Sequence, residues 1–122
     1  MWEVKLIDKK NKIIGLKWSG HVKKEEVAEA NGKIGQLIKA LNTDSFDMLI
    51  EMDNFMAFPK ETQPEIVKQQ KWVIEQGMKR AAVVVDKVTT KMQLKRTSES
   101  SQNTNEHFFT SYEEALSFLK NN

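Results

Sequence analysis

Cysteine is absent from the 122-residue chain, which excludes disulfides, a thiol nucleophile and thiolate metal sites. Such a chain suits a reducing compartment, and a cytoplasmic location is the expectation. Neither sign of charge is in excess. With 19 Lys and Arg against 17 Asp and Glu, the net of +2 gives no field strong enough to gather nucleic acid or an anionic membrane. Long apolar runs are also missing: none approaches the roughly 18 residues of a membrane span. The opening "MWEVKLIDKK" lacks the basic-then-apolar layout of a signal peptide. The two histidines, His21 and His107, stand too far apart in sequence to suggest a metal centre, which needs several converging ligands. Neither a Ser-His-Asp arrangement nor a credible pair of pocket carboxylates can be read from the sequence, so an enzyme is not expected, and neither is a cofactor.

Hydrophobic content of 39% and charged content of 30% describe a globular domain rather than a disordered tail. At this length one domain over residues 1–122 is expected, burying roughly two-thirds of its unfolded surface. "WEVKLID" and "KIIGLKWS" alternate with period two and are joined by a short polar turn, which reads as an antiparallel hairpin. Trp2, Val4 and Leu6 share one face of the first strand, and Ile14, Leu16 and Trp18 one face of the second. The period then changes. Val27, Ala30, Ile34, Leu37, Ile38 and Leu41 form a helical stripe, with Lys23 at the N-cap, Val22 and Val27 as a hydrophobic staple, and Asn42 closing the helix.

"FDMLIEMD" reads as the next strand, followed by an apolar loop, "NFMAFP". "TQPE" has capping-box form, with Thr62 accepting from the Glu65 amide and Pro64 in the first turn. The helix it opens should bury Ile66, Val67, Val73 and Ile74 and end at Gly77. "RAAVVVD" lacks alternation, as a strand covered on both faces does. A weakly patterned helix is expected from about Thr90, then a polar loop "TSESSQNTNE", a short strand "HFF", and a last helix opened by the Ser111–Glu114 capping box. The element order ββαβαβαβα requires parallel pairing with right-handed crossovers.

This order, "AAVVVD" followed by a basic helix, and the ending "EHFFTSYEEALSFLKNN" resemble the SpoIIAA-like superfamily over essentially the whole chain. More closely, the chain looks like its small stand-alone bacterial branch, the STAS/CRAL-TRIO-like domains of unknown function. The resemblance implies an α/β fold, a five-stranded mixed and mostly parallel sheet wound as a β-α superhelix, with helices mainly on one face. Better-studied relatives are antagonists of anti-sigma factors, cytoplasmic domains of anion transporters, and lipid-exchange proteins. In the antagonists a serine just after the third strand is phosphorylated to switch partners. Here that neighbourhood reads "DNFMAFPKETQP", without serine, and Thr62 is the nearest hydroxyl and the candidate phosphoacceptor.

In an open parallel sheet, ligands sit beyond the carboxyl ends of the strands. That rim should collect His21, 53–60, 86–91 and 109–111. Asp53 and Asp86 end strands, where carboxylates ordinarily accept loop amides. Lys87, Thr89, Thr90 and Lys91 surround a helix N-terminus that could contact an anion. Phe55, Met56 and Phe58 crowd one short segment, either folded into the core or standing as an apolar lip. Trp72 falls opposite the expected stripe of its helix, flat on its neighbours' stems or anchoring a contact. The expectation is a non-enzymatic, cytoplasmic interaction or regulatory module. It should self-associate as a homodimer or hold a protein partner through Phe55, Met56, Phe58 and Trp72. The alternative is a carrier or sensor of a small apolar or lipid-like ligand at the same rim. Nucleic acid, metal and stable membrane insertion are not expected.

Overall fold

A computed structural model of the chain describes residues 1–85, 87–101 and 105–121. The elements run β1 (Trp2–Asp8), β2 (Ile13–His21), α1 (Lys24–Leu41), β3 (Phe46–Ala57), α2 (Gln63–Glu75), β4 (Met78–Val84), α3 (Val88–Ser101), β5 (Glu106–Phe109) and α4 (Tyr112–Asn121). The five strands form one sheet in the order β1-β2-β3-β4-β5. β1 and β2 are antiparallel, and every later neighbour is parallel. The expected mixed, mostly parallel α/β sheet is therefore present.

Two apolar layers sandwich this sheet. The larger lies between it and α1, α2 and α3, and includes Val4, Leu16, Trp18, Ile34, Met48, Ile66, Val83 and Leu94. The smaller lies on the other face, where Ala115 and Leu119 of α4 close over Ile13, Leu49 and Ala82. Among the described residues α4 is the one helix on that face, and its cover is why β4 is apolar at consecutive positions: Ala81 and Val83 point to the first layer and Ala82 to the second. Trp2 and Trp18 both lie on the side of the sheet covered by α1, α2 and α3, and Trp18 is buried.

α1 begins as its sequence suggests. Lys23 is extended at the N-cap, its amide donates to the Glu26 carboxylate over 2.8 Å, and Val22 and Val27 are both buried. Asn42 ends the helix in the left-handed region at φ 48°. α2 departs from the expected stripe. Ile66, Gln69 and Val73 are buried, whereas Ile74 is 36% exposed. The buried Gln69 is satisfied by α1, donating from Nε2 to Asn31 Oδ1 over 2.7 Å. α3 extends through Ser101, so the first part of "TSESSQNTNE", expected as a loop, is helical. Its own amphipathic pattern is weak, and packing against α2 holds it. Residues 102–104 lie outside the described residues.

Candidate partner-binding rim

The carboxyl ends of β2 to β5 gather along one border, but they do not end level. Pairing of β3 with β4 stops at Glu51 and Val84, while β3 continues beside β2 to the pair His21–Ala57. The segment expected as a free apolar loop is therefore the protruding end of β3. Asn54 adopts φ 49° and the β2–β3 register shifts between Trp18 and Gly20, a bulge that resets the alternation of the strand. Met48 and Met52 point toward the helices, and beyond the bulge Phe55 does so too, in place of Asn54 or Met56.

This corrects the expected apolar lip. Phe55 is 3% and Phe58 2% exposed, and both belong to the main core. Their ring centroids are 4.7 Å apart at 64°, and Phe58 meets Trp18 edge-on at 6.1 Å and 88°. Of the three, Met56 alone faces solvent, at 62% exposure. The core alternative weighed for these rings holds for the two phenylalanines.

Trp72 is not opposite the buried side of α2 either. It is half-buried and packed against the core, with its ring over Gly35 of α1. A Cβ at Gly35 would lie 3.8 Å from the indole, an ordinary contact, so the ring does not require glycine at this position. Gly32, by contrast, faces open space.

Thr62 is fully buried at 0% exposure and does not cap α2 with its side chain. Its hydroxyl donates to the Val22 carbonyl over 2.9 Å, tying the start of α2 to the end of β2. The residue itself is helical in φ and ψ, so its oxygen is not aimed along the first turn. As a phosphoacceptor it would first have to leave this bond and this enclosure.

On the β4–β5 side, Val85, Lys87, Lys91, Phe108, Phe109, Thr110 and Glu114 line an open cleft of about 320 Å³. Lys91 Nζ lies 5.5 Å from the centroid of Phe108, and Lys95 Nζ 5.8 Å, so the aromatic floor is overhung by cations. Lys87 also borders a smaller recess beside Asn54, Phe55 and Thr90. Thr90 is buried, so of the expected anion contacts Lys87 and Lys91 reach the surface. Asp86 and the side chain of Thr89 lie outside the described residues. Asp53 and His21 are exposed at the border. Glu114 belongs to the first turn of α4, where its amide donates to the capping Ser111 Oγ over 3.2 Å.

A charged pair that the sequence reading did not single out stands beneath the opposite end of the sheet. Asp47 and Arg80 are register partners on β3 and β4, bonded through Nη2–Oδ2 at 2.8 Å and Nε–Oδ1 at 3.4 Å. Its signal was one Asp inside the apolar run "FDMLI"; nothing local says which basic residue answers it. Among the described residues no group of three or more His, Asp or Glu could hold a metal ion, and no helix is long and apolar enough to cross a membrane.

A family model described as SpoIIAA-like matches residues 13–120. The fold is also similar to the crystal structure of an uncharacterised protein with a SpoIIAA-like fold from Shewanella loihica PV-4. That likeness has a TM-score of 0.76 at 13% sequence identity, over 97% of this chain and 93% of the other. A search of curated proteins finds no match.

Proposed function

The chain belongs to the SpoIIAA-like family, and on that footing we propose that it is a non-enzymatic, self-associating interaction module that holds a protein partner along the carboxyl rim of its sheet. The observation that carries this reading is the shape of the rim. Met56 stands exposed on a β3 end that outruns β4, and the same border carries a cleft with an aromatic floor and the cations Lys87 and Lys91. An adaptable thioether and a mixed apolar and charged groove along one border suit a polypeptide surface. Replacing Met56 by a photoreactive methionine analogue in living cells tests it. Cross-linking to a distinct polypeptide, suppressed when Lys87 and Lys91 are changed to Glu, supports the rim. Labelling indistinguishable from that of an analogue placed at Met92 on α3 counts against it.

The carrier reading retains one supporting observation, the volume of the rim cleft, which falls at the lower end of ligand pockets at about 320 Å³. The enclosed space between the sheet and α2 is about 30 Å³, room for little more than one water. A small ligand at the rim fits these dimensions, and an engulfed acyl chain does not. Native mass spectrometry of protein isolated from its host separates the two readings, through a retained small-molecule mass or a bare chain.

A further inference from the structure

β1 is one edge of the sheet, and its outer side has no neighbouring strand among the described residues. The other edge, β5, is four residues long, whereas β1 has seven. Short edges are a common protection against unwanted pairing; a long one requires another explanation. The hydrogen-bond phase of β1 can be read from its start. Ser19 N donates to Met1 O over 2.9 Å and Met1 N donates to Ser19 O over 2.7 Å, so position 1 is a bonded pair with β2. Bonded and non-bonded pairs alternate along an antiparallel ladder, which makes Glu3–Lys17 and Lys5–Gly15 the next bonded pairs. The backbone groups of Trp2, Val4 and Leu6 therefore point outward from the sheet.

We infer that a second copy of this chain pairs with β1 in antiparallel register about a two-fold axis at Val4, joining two sheets into one of ten strands. In that register Val4 meets Val4 of the second copy, Trp2 meets Leu6, and Leu6 meets Trp2, all through outward-facing backbone groups. Glu3 then lies directly opposite Lys5 of the second copy, and Lys5 opposite its Glu3. Both are exposed, and neither is ion-paired within its own chain among the described residues.

Charge selects this register over its neighbours. Sliding the axis one way sets Glu3 against Glu3, and sliding it the other way sets Lys5 against Lys5. Like charges directly opposite destabilise a strand pair, so both slips are penalised. The apolar side agrees. Leu6 is 36% exposed on a strand whose other helix-facing residues are covered, and the half-buried indole of Trp2 would lie across from it. The register shift of β1 falls between Leu6 and Asp8, at the end of the paired window. The contact is isologous and closes on itself, so it removes the open edge without propagating a fibre.

This rests on the reading of the chain as self-associating, and the experiment separates the two. Sedimentation equilibrium of the wild type should show a reversible dimer. Glu3→Lys and Lys5→Glu, each checked for native circular dichroism, should each weaken it about tenfold or more. Mixing these two variants should restore a heterodimer, since each chain then supplies the charges that the other lacks. The double variant E3K/K5E should again form a homodimer. A wild-type dimer unmoved by either single variant overturns the β1 interface and leaves self-association elsewhere. Two single variants that stay apart when mixed overturn the register. A wild type that remains monomeric at high micromolar concentration overturns self-association and the interface together.

Discussion

Arg80 holds Asp47 and α4 at once. Its guanidinium pairs with the Asp47 carboxylate, donates from Nη2 to the Leu119 carbonyl over 3.2 Å, and lies 5.2 Å from the centroid of Phe118. A cation at the last turn of α4 complements the partial negative charge of that helix end. The pair thus sits where β3, β4 and α4 meet, with Asp47 almost wholly enclosed. Arg80→Met leaves a buried carboxylate without its partner, and a loss of about 2–4 kcal/mol in urea denaturation is expected. The double variant Asp47→Leu with Arg80→Met should recover most of that loss, because the uncompensated charge is gone. Equal losses in the single and double variants would show that the guanidinium acts through Leu119 and Phe118 alone.

The rim rings and the rim methionine should separate cleanly. Phe55→Ser removes an enclosed ring from a three-membered aromatic cluster and should cost about 3–5 kcal/mol, a large part of the stability of a small domain. Met56→Ser, one position on, should change stability by no more than about 0.5 kcal/mol. Thermal denaturation of the two variants side by side measures the contrast. Similar midpoints would mean that the β3 end is not docked against the helices in solution.

Much of this architecture was legible before the fold was known. The shift of hydrophobic period at Lys23, the capping residues Asn42 and Ser111, and the unalternating "AAVVV" run each report a local requirement of the backbone, and each reappears in the structure. What stayed hidden depends on partners far along the chain. A left-handed Asn54 turns "NFMAFP" from a loop into a bulged strand, and only its pairing with Gly20 and His21 shows this. Gln69 reads as a surface residue until Asn31 is placed beside it, and Ile74 reads as core until Trp72 is seen to take the α1 side of α2. The rim itself followed from the strand order. Its exposed residues did not, because apolar composition says nothing about which side chains face inward.

Thr62 tests whether the start of α2 can act as a switch. Thr62→Val removes the donor to the Val22 carbonyl while keeping the shape, and should cost about 1–2 kcal/mol in equilibrium denaturation. Thr62→Glu places an unpaired charge in the same enclosed position, and should destabilise by about 3 kcal/mol or more, if the variant folds at all. A Thr62→Glu domain with wild-type stability would show that this corner opens readily, and would revive a phosphorylated state as a functional form.

Acid should weaken the domain partly through Glu26. Partial burial pushes its carboxyl upward, but the Lys23 amide bonded to it, with the terminal ammonium 2.9 Å away, outweighs that, and the group sits below its ordinary value of 4.5. A depressed carboxyl favours the folded state wherever it is ionised in both states. The contribution is therefore complete above about pH 4.5 and is lost as the pH falls through the lower folded value. Asp8 acts in the same direction, held down chiefly by the Asn11 side chain and amide and also by Lys120. Glu26→Gln should cost about 1 kcal/mol at pH 7, through loss of the charged half of the α1 cap. It should also make the stability curve flatter on the acid side, below about pH 4.5, because proton uptake at Glu26 on unfolding is removed. Denaturation midpoints of the two proteins should thus converge on acidification. Curves that stay parallel throughout would show that Glu26 is not ionised against Lys23 in the folded chain.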